Sequence, residues 1–253
     1  MHRVFRLIMI CAAACAAYAA REAGASFIID PFVVSQNVFG TAGGGATSAG
    51  VTNAGGLGGN RVLAGTSPLG SRYFSNADAN ISNINAFTYT TPNSPGPSGT
   101  NGTSADLIYD GSTNATPSTI HTTGLGGFNA LTSSGPNTGI LLTGSTSSSF
   151  GMDILLTAYN GSTIQTASLH VPTGSTPTTF YVPFNSFTGG GTDFSNLGAL
   201  DMHFGFTNNV GGSGEISALN FGPKPLPEPS TFVLCAAAGL LCAAHRLRRR
   251  AKS

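Results

Sequence analysis

The sequence predicts an all-β protein: an antiparallel β-sandwich of jelly-roll type, flanked by an N-terminal signal helix and a C-terminal membrane helix. Three observations predict this fold class. Apolar and polar residues alternate over short stretches of the second half, turn residues recur between those stretches, and both ends of the 253-residue chain are apolar and basic. The expected domains are residues 1–25 as signal peptide, 26–224 as sandwich and 225–253 as tail.

The alternation is clearest in five stretches between Ser147 and Gly222. In SSFGMDILLTAYNG, one face collects the apolar residues Phe150, Met152, Ile154, Leu156 and Ala158. The other four stretches are TIQTASLHV, TTFYVPF, LGALDMHFGF and GEISALNFG. The residues between them are turn formers, Asn160-Gly161, Gly174 and the glycines 189–191. Short strands with turns at this spacing favour a sandwich.

The first half gives weaker strand signals, which are SFIIDPFVV, RVLAG, SRYFS, NINAFTYT, ADLIYDG and GILLTGS. Pro31 predicts that the first of these is an edge strand or is broken. Residues 40–60 are predicted to form a glycine-rich linker or mobile loop, with their glycine clusters as flexible spacers, and residues 91–103 a second loop. Neither segment divides the body into two domains.

The N-terminus has the pattern of a secretory signal peptide. Arg3 and Arg6 precede an apolar stretch, residues 7–20, and Ala23-Gly24-Ala25 offers a small-x-small cleavage site before Ser26. A second possible site follows Ala19. All cysteines lie in the two apolar ends, at positions 11, 15, 235 and 242. A secreted body without disulfides must be held together by its core.

Charge is distributed unevenly along the chain. The whole sequence has a net charge of +1, but residues 26–224 contain three basic and eight acidic residues, a net charge of −5. A negative body predicts that neither nucleic acid nor an anionic lipid surface is its partner.

The C-terminal tail contains an apolar run of 13 residues, Phe232 to Ala244. A helix over this run reaches about 20 Å, so an extension to residues 231–245 is expected for a membrane segment. A short core helix is the alternative, but the basic residues directly after the run favour membrane insertion with a stop-transfer signal. These are Arg246, Arg248, Arg249 and Arg250 within the basic end 246–252.

The order of these features resembles the PEP-CTERM sorting signal. Pro227, Glu228, Pro229 and Ser230 come first, then the apolar run, then the arginines. The resemblance implies a bacterial protein exported through the inner membrane, where an exosortase recognises and processes the tail after signal peptidase has acted at the N-terminus. A proline-rich hinge before a permanent anchor is the alternative. The body also loosely resembles the β-sandwich ectodomains of such proteins, in DLIYDG before GLGG, in the strands around Asn160-Gly161, and in PFNSFTGGGTDFSNLGALDMHF.

No motif for catalysis stands out. Glycosidases use two carboxylates across the scissile bond, and no predicted strand places a close acidic pair on one face. Asp153, Asp201 and Glu215 read as solvated strand residues. The histidines of the body, His121, His170 and His203, do not have the spacing of a zinc site. His203 and Asp201 share one face of their strand, where a site is conceivable but an ordinary polar face is the simpler reading. We therefore expect no enzyme.

Calcium and carbohydrate remain as candidate ligands. Asp110 and Asp193 lie in loops with hard oxygen ligands nearby, which is the chemistry that calcium prefers, although such residues also form turns. Tyr159 and Tyr181 point away from the apolar stripes of their strands. They are predicted to line an exposed sheet face that contacts polysaccharide, with partial burial as the alternative.

The function expected from the sequence is that of an exported cell-surface or extracellular-matrix protein associated with exopolysaccharide. It resides in the inner membrane only transiently. The alternatives are a carbohydrate- or calcium-binding adhesion module and, less favoured, an unrecognised hydrolase.

Overall fold

A computed structural model describes residues 26–39, 45–52, 55–67, 78–82, 86–91, 104–116, 118–133, 137–191, 193–206 and 212–225. These ranges contain the strands β1 (Phe27–Asp30), β2 (Gln36–Phe39), β3 (Gly45–Thr52), β4 (Asn60–Ser67), β5 (Asp78–Ser82), β6 (Ala86–Thr91), β7 (Ser104–Tyr109), β8 (Gly139–Thr146), β9 (Met152–Asn160), β10 (Thr163–Val171), β11 (Gly174–Pro183), β12 (Thr188–Gly189), β13 (Ala199–Phe206) and β14 (Gly212–Gly222). Single turns of 3-10 helix occupy Leu57–Gly59, Phe184–Ser186 and Phe194–Asn196.

The strands form two antiparallel sheets of seven strands each. Sheet A has the order β11-β8-β14-β6-β5-β2, and β1 pairs with the second half of β14, beyond β6. Sheet B has the order β12-β10-β9-β13-β7-β4-β3. The prediction of an antiparallel β-sandwich is therefore confirmed. No helix within the described ranges is long and apolar enough to cross a membrane, and the two predicted terminal helices lie outside those ranges.

The core between the sheets is built from the alternating positions that the sequence predicted. Met152, Ile154, Leu156 and Ala158 of β9 are buried against residues of the opposite sheet. The same holds for most inward positions of β10, β13 and β14. Phe150 is an exception, because it lies in the turn before β9 with 51% of its surface exposed.

The prediction of a linker or loop over residues 40–60 is wrong for its described part. Residues Gly45–Thr52 form β3, which pairs along its whole length with β4. Leu57, between two pairs of glycines, is fully buried in the core. Small side chains hid both features, since Gly, Ala and Ser give almost no periodic hydrophobic signal.

A long segment after β7 covers part of the outer face of sheet B. Residues 111–125 lie over β3, β4 and β7, where Val62 and Ile108 are buried although they point away from the sandwich interior. Ala115 and Ile120 of the segment pack on them. The other half of this outer face, on β9, β10 and β13, is less covered. The outer face of sheet B is therefore covered on the side of β3, β4 and β7 and open on the side of β9, β10 and β13.

The two ends of the sandwich differ in what they present. We call the end at Ser26 and Gly222 the base, because the described chain begins and ends there and both residues lie beside the start of β8. The opposite end, the top, holds the end of β8, the starts of β9 and β14, and the ends of β10 and β13. An eleven-residue strand such as β14 spans about 33 Å between them.

A buried ion pair joins the two sheets close to β1. Arg61 of β4 donates to both carboxylate oxygens of Asp30, at 2.9 and 2.7 Å. Tyr109 of β7 donates to the same carboxylate at 2.9 Å, and the backbone N–H of Phe32 donates to it at 2.7 Å. Arg61 also reaches Gln36 of β2 at 3.0 Å. Arg61 and Tyr109 are completely buried, and Asp30 is 2% exposed.

Candidate functional site

The candidate site lies on the open half of the outer face of sheet B. Alternation places every second residue of β9, β10 and β13 on this face. The cross-strand pairs that result are His170–Asp153 and Ser168–Leu155 between β10 and β9, and Leu155–His203 between β9 and β13. Asp106 of β7 follows His203 in the same row.

A cleft of about 380 Å³ opens on this face near the top of the sandwich. Its wall and floor comprise Asp153, Ile154, Leu155, Ser168, Leu169, His170, His203 and Gly205. Gly205 helps to keep the cleft open, because a Cβ atom at this position would meet no atom within 4 Å. The lining thus contains an exposed leucine between two histidines.

Each of the two histidines is held by a carboxylate. His203 Nδ1 lies 2.6 Å from Oδ1 of Asp106, and His170 Nδ1 lies 2.7 Å from Oδ1 of Asp153. A carboxylate acceptor at Nδ1 fixes the orientation of the ring and leaves Nε2 as the nitrogen that can meet a ligand. The His203 pair is the better built of the two, because Asp106 is 2% exposed whereas the side chains of Asp153 and His170 are both half exposed.

A third carboxylate adjoins the His203 pair. Asp201 is two residues before His203 on the same face and is 8% exposed. Burial, together with the negative charge of Asp106, raises the pKa of Asp201 to about 7. The hydrogen bond to Asp106 raises the pKa of His203 above its usual value, although burial opposes this shift. Asp201 can therefore gain or lose its proton near neutral pH.

Apolar surface continues from the cleft along β9. Leu155 is 39% exposed, and Ile164 of β10 is 48% exposed beside its cross-strand partner Tyr159. Leu155 and Tyr159 are four residues apart on β9, about 13 Å. Tyr159 is partly buried; burial, with Asp201 and Asp106 as further causes, raises its pKa to about 12, so its hydroxyl stays protonated. We call the surface from the cleft to Tyr159 the β9 track.

The two tyrosines predicted to line one sheet face lie on opposite sides of the sandwich. Tyr159 belongs to sheet B, whereas Tyr181 is on β11 of sheet A, and its hydroxyl lies 2.6 Å from that of Thr138 near the base. The prediction of a single shared face is therefore wrong. Strand alternation correctly gave the outward direction of both side chains but could not tell which sheet each strand joins.

The calcium candidates are engaged within their own loops. Asp110 is 1% exposed and accepts backbone N–H groups from Ser112 at 3.0 Å and His121 at 2.9 Å, so it organises the covering segment 111–125. Asp193 accepts hydrogen bonds from the backbone and hydroxyl of Ser195, which lower its pKa. Over the described residues, no three His, Cys, Asp or Glu side chains are grouped so that they could hold a metal ion.

Asp106 is the functional candidate that sequence reasoning missed. It lies 97 residues before His203 in the chain and reaches it only because β7 pairs with β13. The shared face of Asp201 and His203 was visible in the sequence, and the structure keeps it. The sorting motif at residues 227–230 and the arginines at 246–250 lie outside the described residues.

Comparison with known proteins identifies no family. No protein family matches the sequence, and no curated protein matches it. Among solved structures, the family 11 carbohydrate-binding module from Clostridium thermocellum, in complex with a β-1,3-1,4-mixed-linked tetrasaccharide, is similar at 13% identity and a TM-score of 0.40, over 80% of this chain and 98% of that one. A β-1,2-glucanase from Parabacteroides distasonis is similar at 12% identity and a TM-score of 0.38, over 83% of this chain and 26% of that one. With TM-scores below 0.5, these likenesses assign neither a ligand nor an activity to this chain.

Proposed function

We propose that this protein is a non-catalytic carbohydrate-binding protein of the bacterial surface or extracellular matrix, and that the β9 track with its cleft is its binding surface. The observation that carries the proposal is the combination in one open cleft of exposed Leu155 with two histidines, each oriented by a carboxylate. Ligand sites combine apolar contact area with a few fixed polar groups in this way.

The polar groups of the cleft suit hydroxyl ligands. A sugar hydroxyl both donates and accepts, and so can meet the imidazole Nε2 atoms, which accept from a neutral ring and donate from a protonated one. The cleft also offers the carboxylate of Asp153 as acceptor and the hydroxyl of Ser168 as both. The sugar ring would contribute C–H surface to Leu155 and, farther along the track, to Tyr159 and Ile164. An extended chain lying along β9 would reach from the histidines to the tyrosine.

The charge of the site favours a neutral polymer. No Lys or Arg lines the described cleft, and three carboxylates lie in or beside it against two imidazoles. The described basic residues are elsewhere. Arg61 forms an ion pair with Asp30 inside the sandwich, and Lys224 is at the base. A polyuronate or sulfated polymer would meet uncompensated negative charge.

The same lining argues against hydrolysis. Hydrolysis of a glycosidic bond needs two carboxyl groups about 5–10 Å apart and facing the scissile bond. Asp153 is the single carboxylate among the described lining residues, and it is hydrogen-bonded to His170. Asp106 and Asp201 lie below the surface.

Export and sorting complete the proposal. Signal peptidase would remove residues 1–25, and an exosortase in the inner membrane would process the tail near Pro227 to Ser230. Both cuts would fall close in sequence to Ser26 and Lys224, which lie at the base, whereas the cleft opens near the top. A protein held by its tail would therefore present the cleft away from the membrane.

Blocking the cleft tests the binding surface. The full chain, in a detergent without a sugar headgroup, is run through native gels that contain mixed-linkage β-glucan, dextran, β-1,4-galactan or alginate. We expect at least one neutral polymer, but not alginate, to retard the protein. Gly205→Phe should abolish this retardation by filling the cleft, while Gly205→Ala should keep it.

Thermal unfolding controls for the fold, since neither variant should unfold at a lower temperature than the parent protein. Retardation by alginate alone, by no polymer, or equally by the parent and Gly205→Phe would contradict the proposal.

A further inference from the structure

The His203 end of the cleft rests on a small group of titratable side chains, Asp106, His203 and Asp201, which we call the acid cluster. His203 lines the cleft and is hydrogen-bonded to Asp106 at 2.6 Å. Asp201 is on the same face, diagonal to Asp106 across the β13–β7 pairing. Both aspartates are more than nine-tenths buried.

Each aspartate also has a buried oxygen without a hydrogen-bond partner in the structure, Oδ2 of Asp106 and Oδ1 of Asp201. Buried carboxylate oxygens that lack a donor are costly when ionised. His203 can supply one positive charge to the cluster, whereas the two carboxylates carry two negative charges. The cluster is electrically balanced only when it binds one further proton.

Within the described ranges, the neighbouring elements offer no other cation. On β9, the facing residues are Leu155, Thr157 and Tyr159, and the phenol of Tyr159 is neutral. On β4, the residues in the corresponding rows are the apolar Val62 and Ala64. The remaining described charged groups near this face are engaged as pairs, His170 with Asp153, and His121 of the covering segment with Asp110.

We propose that carbohydrate binding in the cleft is coupled to the uptake of a proton by the acid cluster, so that mildly acidic medium strengthens binding. This inference rests on the proposed function. A polymer lying over Leu155 and His203 removes water from the cluster and makes its excess negative charge more costly. Protonation of Asp201 removes that excess and keeps His203 charged and oriented by Asp106.

The surroundings of the cluster in the free protein already favour binding of a proton. The pKa of Asp201 is raised to about 7 by burial and by Asp106, and that of His203 is raised by its bond to Asp106. If the bound polymer raises the pKa of the cluster by one unit, linkage makes binding about tenfold weaker at a pH above both pKa values than at a pH below them.

The test compares dissociation constants at pH 5.5, 6.5, 7.5 and 8.5 for the full chain and for Asp201→Asn, which mimics the protonated acid. The probe is mixed-linkage β-glucan or whichever neutral polymer of the gel series binds. We expect about tenfold weaker binding by the parent at pH 8.5 than at pH 5.5, and at most threefold for Asp201→Asn. Asp193→Asn, an exposed carboxylate at the other end of β13, should behave like the parent.

Proton uptake provides an independent readout. Calorimetry at pH 7 in buffers of different ionisation enthalpy should show protons taken up on binding by the parent, and fewer by Asp201→Asn. Binding that varies less than twofold with pH, or an equal pH dependence in Asp201→Asn, would overturn the coupling while leaving the binding surface intact. Absence of binding to every polymer at every pH would overturn the proposed function and the coupling with it.

Discussion

Arg61 is the residue through which the two sheets are most directly joined. Its guanidinium contacts Asp30 and Gln36 of sheet A from β4 of sheet B, and it also donates to the carbonyl oxygen of Val34 at 2.6 Å. In the sequence, Asp30 and Arg61 are separate charges in weak strand signals, and nothing there shows that they meet. Pairing across the interior of a sandwich depends on strand order, which local patterns do not contain.

Removal of the guanidinium is expected to destabilise the sandwich strongly. Arg61→Met keeps much of the side-chain volume but leaves Asp30 buried without its cation, which should lower the free energy of unfolding by about 3–5 kcal/mol. Urea unfolding measures the change. Lys224→Met, at an exposed cation, serves as the control and should alter stability by less than about 0.5 kcal/mol; an equal effect of the two substitutions would show that the ion pair does not stabilise the fold.

At the scale of elements, the close contact between β3 and the covering segment 111–125 depends on Gly50. A Cβ atom at Gly50 would overlap the carbonyl oxygen of Thr113, so only glycine lets the segment lie directly on the strand. Gly50→Ala should therefore cost about 1–3 kcal/mol, measured by thermal or urea unfolding. Gly205→Ala is the matched control, as its added Cβ meets no atom; similar losses for both would contradict this packing.

The strands that the sequence predicted best are those with large alternating side chains. In β9 and β13, Met, Leu, Ile and Phe occupy the inward positions, and their period of two is unambiguous. The described strands β2, β3 and β5 were missed because their residues are mostly small or polar. β3 gains its place by pairing with β4 and by the backbone of Thr113 above it, and neither contact leaves a periodic trace in the sequence.

The candidate site was predicted in part, for the same reason. Asp201 and His203 share a face because they are two apart on one strand, which the sequence shows directly. The role of Asp106 and the separation of Tyr159 from Tyr181 follow from which strands become neighbours. These are properties of the whole sandwich, and they decide that one side of the molecule carries the cleft.

At the scale of the whole molecule, the resemblance of the tail to a sorting signal predicts that both ends of the chain are processed. If an exosortase recognises the tail at Pro227 to Ser230 and cuts it there, the mature protein isolated from the bacterium that makes it should begin near Ser26 and lack residues 246–253. Intact-mass measurement checks both ends. Deletion of residues 227–229 should leave the basic end attached. A parent protein that still contains Arg248 to Ser253 would contradict sorting by an exosortase and leave the binding surface unaffected.

The most direct test of the central claim compares two tyrosines on opposite faces of the sandwich. The dissociation constant for a neutral polysaccharide is measured by calorimetry for the full chain, Tyr159→Ala and Tyr181→Ala. If the β9 track is the binding surface, Tyr159→Ala should weaken binding by about tenfold, equivalent to about 1.4 kcal/mol, and Tyr181→Ala should bind like the parent. Loss of affinity in Tyr181→Ala with unchanged binding by Tyr159→Ala would place the ligand on sheet A and contradict the account.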